Sequence, residues 1–199
     1  MRVVVIGATG TIGKAIVEAL TPRHEVVPVS RHGEHRVSLE DPASIDQMYR
    51  ALGRVEAVIC AAGEAKFAPL AQLTDEDFAF SIRSKLLGQV NLIRLGLAHV
   101  MDGGSISVTS GTLASQPSPG SGAVSLVNAG LEGFVRAAAL EAPRRIRVNV
   151  VSPPWVTETL QALQMPLTGG LPAAVVAQAY ARSLESNQSG SVLQPADSA

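Results

Sequence analysis

Near its amino terminus the chain reads Val3-Val4-Val5-Ile6-Gly7-Ala8-Thr9-Gly10-Thr11-Ile12-Gly13. The apolar run is typical of a buried strand, and a helical pattern begins within the glycine-rich stretch that follows. Glycine permits a tight turn and lets a pyrophosphate approach the main chain, where the first N–H groups of the helix face the anion. The stretch predicts a phosphate-binding loop, and the alternative is a tight turn without a ligand. The predicted binding residues of the loop are Gly7, Thr9, Gly10, Thr11, Ile12 and Gly13.

The rest of the chain continues this alternation of short apolar runs and helical patterns. Such an alternation predicts a parallel sheet covered by helices. We therefore expect a single doubly wound α/β domain over residues 1–199, with seven mostly parallel strands and helices on both faces. The predicted strands are 3–6, 25–29, 36–39, 56–60, 105–109, 146–151 and 191–193, and the predicted helices are 11–20, 42–52, 75–99, 124–141 and one from residue 172 onward.

Composition excludes several classes of function. The chain has 16 Lys and Arg against 17 Asp and Glu, so a broad basic surface for nucleic acid is not expected. The apolar run at 3–6 is too short for a signal sequence or a membrane span. The single cysteine, Cys60, excludes an internal disulfide and indicates a cytoplasmic location. The four histidines show no metal-ligand spacing, so no metal site is predicted.

The end of the second predicted strand bears on which dinucleotide the loop would hold. An NAD site usually places an acidic residue there to bind the ribose 2′-hydroxyl, and this sequence has Ser30 and Arg31 instead. The guanidinium of Arg31 offers a bidentate fork for a 2′-phosphate, with Ser30 as a hydroxyl donor. The pattern favours NADP over NAD. The alternative is that Arg31 is a solvated surface residue.

A second recognisable block is Arg147-Val148-Asn149-Val150-Val151-Ser152-Pro153. Together with the glycine loop, it resembles the short-chain dehydrogenase/reductase superfamily over nearly the whole chain. The resemblance implies a dinucleotide-binding fold and an oxidoreductase activity. Its implied cofactor contacts, beyond the loop and the end of the second strand, are Ser38 and Leu39 beside the adenine, Ala61, Ala62 and Gly63 under the adenosine ribose, and Pro153 after the sixth strand.

The resemblance breaks at the residues that perform the chemistry of that family. The family's tyrosine and lysine correspond to Val124 and Asn128, its serine to Gly111, and the asparagine of its preceding long helix to Lys85. Valine has no proton to transfer. We therefore predict a polar site with altered use, made of Lys85, Ser110 and Asn128. The alternative is that Lys85 is solvated and Asn128 lies on a helix surface.

A further departure follows the sixth predicted strand. Glu158 stands where the family has a threonine that contacts the nicotinamide end, and Thr157 and Thr159 flank it. An inward-facing Glu158 would oppose a pyrophosphate. The two tyrosines, Tyr49 and Tyr180, are expected in helices remote from the site.

Three functions remain open at this stage. The first is an NADP-dependent oxidoreductase that acts on a small carbonyl or alcohol through an altered site. The second is a catalytically silent dinucleotide-binding or redox-sensing protein, and the third is a scaffold without a nucleotide, which the glycine loop disfavours. By resemblance we also expect a homo-oligomer that associates through the long helices 75–99 and 124–141.

Overall fold

A computed structural model describes residues 1–195. Seven parallel strands form one sheet in the order β3-β2-β1-β4-β5-β6-β7. This confirms the predicted doubly wound α/β fold. The strands are β1 Arg2–Ile6, β2 Glu25–Ser30, β3 His35–Arg36, β4 Val55–Cys60, β5 Val100–Thr109, β6 Arg147–Val151 and β7 Val192–Leu193. The helices are α1 Thr11–Leu20, α2 Pro42–Leu52, α3 Asp75–Ser81, α4 Gly88–Gly96, α5 Gly122–Glu141, α6 Thr157–Ala162 and α7 Ala173–Glu185.

Two apolar cores lie on the two faces of the sheet. Strand β1 lies inside the sheet between β2 and β4, and its residues 3–6 are buried on both faces, as expected of a parallel strand covered by helices. One face packs against α2, α4 and α5, and the other packs against α1 and α7. The helices thus hold the carboxyl ends of the strands at one edge, where loops of polar and small residues emerge.

The helix starts differ in how they are capped. Asp41 caps α2 by accepting a hydrogen bond from the Ala43 N–H, and Thr74 and Asp77 form a capping box at α3. Helix α1 begins after Gly10, with no side chain capping it. Its first N–H groups therefore remain available to a ligand, because no neighbouring side chain accepts from them.

The predicted helix 75–99 is interrupted. A π-helical segment, Ile82–Leu87, separates α3 from α4. Apolar spacing did not reveal it, because one residue added to a turn leaves the apolar side chains near the same face. Lys85 lies within this segment, and π-helical turns occur frequently at functional sites.

Strand β5 begins earlier than predicted. Val100 already pairs with Val55, and the register then shifts before Ser105 pairs with Ala57. The intervening Asp102-Gly103-Gly104 has the sequence of a turn, and Gly103 adopts a positive φ of 74°. An irregular strand of this kind is not predicted by period-two alternation, because the extra residues bulge out of the ladder.

Among residues 1–195, one helix is long and apolar enough by composition to cross a membrane. This helix is α5, with a mean hydropathy of 1.3 over its most apolar window. In the fold it flanks the sheet, and Val127, Leu131 and Val135 pack into the core. The core helix of a globular domain passes the same test, so this finding is weak evidence for a membrane span.

Candidate functional site

The order of the strands reverses between β1 and β4, and two adjoining cavities open at their carboxyl ends. In doubly wound sheets, ligands bind at this position. We call the first the glycine-loop pocket, a cavity of about 280 Å³ between the glycine loop and the ends of β2 and β4. We call the second the central cleft, a cavity of about 200 Å³ between the π-helical segment, the loop after β5 and the loop after β6.

The glycine-loop pocket gathers most of the predicted cofactor residues. Those that line it are Gly7, Thr9, Gly10, Ser30, Arg31, Ser38, Leu39, Ala61, Ala62 and Gly63. Of the remaining predicted residues, Ile12 and Pro153 line the central cleft, exposed Thr11 starts α1, and Gly13 is buried behind the loop.

Two glycines of the loop are required by its geometry. Gly7 has a positive φ of 82°, and a Cβ there would lie 2.8 Å from the carbonyl oxygen of Ala61. A Cβ on Gly13 would collide with the carbonyl of Gly7. The absence of both side chains brings α1 against the end of β1 and leaves its uncapped N-terminus facing the pocket.

Arg31 forms an ion pair that the sequence did not predict. Its guanidinium lies 3.2 Å from the carboxylate of Glu64, and both side chains line the mouth of the glycine-loop pocket. Glu64 directly follows the predicted turn at Ala61–Gly63, so its position next to that turn was the available signal. The acidic group absent from the end of β2 is thus supplied from the end of β4.

Lys85 lies at the floor of the central cleft. Its ammonium donates a hydrogen bond to the carbonyl oxygen of Ser110 at 3.2 Å. The main chain of Gly63 packs directly on Lys85, because a Cβ on that glycine would lie 3.0 Å from the Lys85 Cα. Burial lowers the pKa of Lys85 from 10.5 to about 8, since desolvation disfavours the charged amine. The side chain is therefore held in the cleft and can exchange a proton near neutral pH.

Asn128 fills space that a serine at position 111 would occupy. A Cβ on Gly111 would lie 3.0 Å from the amide nitrogen of Asn128, and this nitrogen contacts the Gly111 carbonyl oxygen at 3.5 Å. The amide oxygen of Asn128 is buried and has no hydrogen-bond partner among residues 1–195. A buried acceptor without a partner is costly, so this atom is available to a donor on a ligand.

The hydroxyl of Ser110 is engaged elsewhere. It donates to the carboxylate of Glu132 at 2.9 Å, and the Ser152 hydroxyl donates to the same oxygen at 3.1 Å. Glu132 thereby joins the ends of β5 and β6 behind the cleft, with Arg136 at 3.7 Å from its second oxygen. Ser110 lines the central cleft as predicted, but its proton faces Glu132 in this arrangement.

The remaining wall of the cleft is largely apolar. Val124 lines it, and Trp155 packs edge-on against Phe67 with ring centroids 5.6 Å apart. Thr112, in the loop after β5, and Thr159, in α6, add hydroxyl side chains to this wall. The cleft therefore fits a small, mostly apolar molecule with a polar end near Lys85 and Asn128.

Glu158 is turned away from the cleft. Its carboxylate accepts hydrogen bonds from the N–H of Ala173, at 3.0 and 3.1 Å, at the start of α7. The inward orientation considered from the sequence is not adopted, because the carboxylate is used at a helix N-terminus, where a negative charge is favourable.

The two tyrosines differ in their distance from the site. Tyr49 is buried and donates to the Leu92 carbonyl oxygen at 2.9 Å, remote from the cleft. Tyr180 lies nearer than predicted, because its hydroxyl bonds to Thr109, which lines the cleft. Burial raises the pKa of Tyr180 above its usual value, and the side chain has no exposed surface. Tyr180 therefore does not present a proton to a ligand.

Cys60 is a core residue. It is fully buried at the end of β4, and burial raises the pKa of its thiol to about 12. Such a thiol is not a nucleophile, because nucleophilic attack requires the thiolate. Within residues 1–195, no three His, Cys, Asp or Glu side chains are grouped to hold a metal ion.

A family model described as Enoyl-(Acyl carrier protein) reductase matches residues 6–190. A 3-oxoacyl-[acyl-carrier-protein] reductase of Rattus norvegicus is 31% identical over 57% of this chain. That match covers 49% of the rat protein, so the chain spans about half of its length.

Solved structures extend the similarity to the whole chain. The protein lin1944 of Listeria innocua is 38% identical with a TM-score of 0.93, covering 98% of both chains. A small-chain dehydrogenase in complex with NADPH has a TM-score of 0.86 and is 23% identical, covering 98% of this chain and 95% of its own. At that identity, the second likeness concerns the fold alone.

Proposed function

Because the chain belongs to the short-chain dehydrogenase/reductase superfamily, we propose that it binds NADP(H) along the carboxyl edge of its sheet and acts as an oxidoreductase. The proposed substrate is a small carbonyl or alcohol, and the proposed active site departs from the family's usual residues. A cytoplasmic location is proposed with it.

The residues present fit a dinucleotide. The glycine loop leaves the N-terminus of α1 uncapped, and Arg31 lies at the end of β2, where a 2′-phosphate would lie. Beside this pocket, the buried amide oxygen of Asn128 has no hydrogen-bond partner in the described part of the chain and suits the hydroxyls of the nicotinamide ribose. This unpaired oxygen is the single observation that carries the proposal, because no group within residues 1–195 donates to it.

Lys85 is the proposed proton donor. A reduced nicotinamide bound beside the cleft would supply a hydride to the carbonyl carbon of the substrate. The carbonyl oxygen then takes a proton from the Lys85 ammonium, and the neutral amine regains a proton from water. The lowered pKa of about 8 supports this role, because a general acid works best when its pKa lies near the working pH.

The size and lining of the central cleft support the substrate class. A volume of about 200 Å³ accommodates a small molecule, and the walls at Leu113, Val124 and Trp155 are apolar. The description of the rat relative as a 3-oxoacyl reductase supports a carbonyl group as the reacting centre.

A second candidate is a catalytically silent dinucleotide-binding or redox-sensing protein. Two observations favour it. Val124 lines the cleft without a proton to transfer, and the hydroxyl proton of Ser110 is directed to Glu132. General acid catalysis contributes typically about 10²–10⁴-fold, so the loss of the usual donors would leave little turnover.

Turnover with a panel of small ketones and aldehydes separates the two candidates. We expect slow NADPH oxidation by the wild-type protein that falls at least about tenfold in Lys85→Met. Tyr49→Phe serves as the matched control, because its hydroxyl bonds to a core carbonyl away from the cleft. Turnover that survives Lys85→Met would contradict the assignment of the acid, and no turnover together with NADPH binding would favour the silent protein.

A further inference from the structure

The ion pair between Arg31 and Glu64 lies at the mouth of the glycine-loop pocket, where the sequence predicts only a positive charge. The guanidinium and carboxylate are 3.2 Å apart, and their side chains are 71% and 60% exposed. An ion pair this exposed is weak, so a bound anion can draw Arg31 away from it. The carboxylate nevertheless remains at the pocket.

The main chain holds Glu64 in place. Its N–H donates to the hydroxyl of Ser84 at 3.2 Å, and Ser84 lines the same pocket. The preceding Gly63 has a positive φ of 122° and packs on Lys85. The side chain of Glu64 thus rotates on an anchored backbone, and its negative charge stays within reach of any ligand that contacts Arg31.

The two charges act oppositely on the two dinucleotides. A 2′-phosphate is attracted by Arg31 and repelled by Glu64, whereas a ribose 2′-hydroxyl can donate to the Glu64 carboxylate. A carboxylate that accepts from this hydroxyl is the usual acidic feature of an NAD site, here in the loop after β4 rather than at the end of β2.

We propose that Glu64 is a specificity-determining residue that reduces the preference for NADPH and gives the pocket measurable affinity for NADH. The inference rests on the proposed function, since it requires a dinucleotide in this pocket. It assigns to Glu64 a role that neither the glycine loop nor Arg31 supplies.

Titration calorimetry of Glu64→Gln with NADPH and NADH tests the proposal. Glutamine keeps the size of the side chain and removes its charge. We expect NADPH to bind about fivefold more tightly, because the substitution removes the repulsion between the carboxylate and the phosphate. In water, the repulsion from one unit charge corresponds to roughly that factor in affinity. We expect NADH to bind about threefold more weakly, because a neutral amide is a poorer acceptor than a carboxylate. If Glu64 only maintained the structure of the glycine-loop pocket, the substitution would change the affinities for NADPH and NADH in the same direction.

Glu141→Gln is the matched control, because Glu141 is exposed at the end of α5 and its substitution changes the net charge equally. Adenosine 2′,5′-bisphosphate and AMP provide a second pair of probes that excludes the nicotinamide end. Equal shifts for both cofactors, no shift, or the same opposite shifts in Glu141→Gln would overturn the role of Glu64 and leave the proposed function intact. A wild-type protein that binds neither cofactor and neither fragment would overturn both.

Discussion

Single residues at the end of β2 set the choice of cofactor in this account. We predict that Arg31→Ala lowers the affinity for NADPH by about 1.5–3 kcal/mol, as for loss of a hydrogen bond to a charged group. Affinity for NADH should hardly change. Titration calorimetry measures both values, and equal affinities for NADPH and NADH in the wild-type protein would contradict this role of Arg31.

The second prediction at the scale of residues concerns the pH dependence set by Lys85. Its pKa is lowered to about 8, so the ammonium is lost as the pH rises through that value. If Lys85 donates the proton, the rate of carbonyl reduction should fall as the pH rises through about 8, and this fall should disappear in Lys85→Met. A pH–rate profile that is identical in the two proteins would exclude Lys85 as the donor.

The pH dependence of folding stability provides an independent test of the lowered pKa of Lys85. The pKa in the folded protein lies below the ordinary value of 10.5, so the unfolded chain binds more protons between about pH 8 and 10.5. Stability therefore rises with pH across this range, and the charged amine costs stability below it. Lys85→Met should raise the melting temperature at pH 7 and change it less at pH 10.5.

The third prediction concerns the buried carboxylate behind the cleft. Glu132 accepts hydrogen bonds from Ser110 and Ser152, so Glu132→Ala leaves two hydroxyls without their partner. We expect a loss of about 2–3 kcal/mol in the free energy of unfolding, measured by chemical denaturation. Glu141→Ala, an exposed position on the same helix, should change stability by less than about 0.5 kcal/mol. Similar losses in both variants would contradict the role of Glu132.

At the scale of elements, regular periodicity predicted the fold well. Helices α1 and α2 have their predicted bounds, because Gly10 and Pro42 mark their starts and Leu20 and Leu52 their last buried turns. The π-helical segment was missed because the apolar spacing continues through it, and the bulged start of β5 was missed because Asp102-Gly103-Gly104 has the sequence of a turn. Local irregularity of this kind is decided by tertiary packing.

The candidate site was predictable only where one residue type is required by geometry. Gly7 and Gly13 could be assigned from sequence, because any side chain at either position would collide with the main chain. Two other contacts could not be assigned from sequence: the hydrogen bond of Ser110 to Glu132 and the ion pair of Arg31 with Glu64. Both join residues far apart in the sequence. The direction of Glu158 depends likewise on α7, which follows it in the chain.

At the scale of the whole molecule, α5 carries an exposed apolar stripe. Its members are Leu126, Gly130, Gly133, Ala137 and Leu140, which repeat at alternating spacings of four and three residues. Leu126 and Leu140 are 50% and 89% exposed. A stripe of small residues at this spacing permits close packing of two helices, so we predict a homo-oligomer that associates through α5 and the neighbouring residues of 75–99.

Light scattering tests this prediction. The wild-type protein should have at least twice the monomer mass at micromolar concentration. Gly133→Glu should give a monomer without unfolding it, because a Cβ at this position would meet no atom of another element within 4 Å among residues 1–195. The matched control is Ala51→Glu, an exposed position on α2, which should leave the mass unchanged. A wild-type protein of monomer mass would contradict the oligomer.

The central claim is that NADP(H) binds along the carboxyl edge of the sheet, and thermal shift tests it most directly. The protein is melted alone, with NADPH and with NADH, each at the same concentration. A ligand at about 100 times its dissociation constant stabilises the folded state by about 2.7 kcal/mol, which corresponds to several degrees in a domain of this size. We predict a rise of the melting temperature with both cofactors, larger with NADPH. No rise with either cofactor at millimolar concentration would contradict the account.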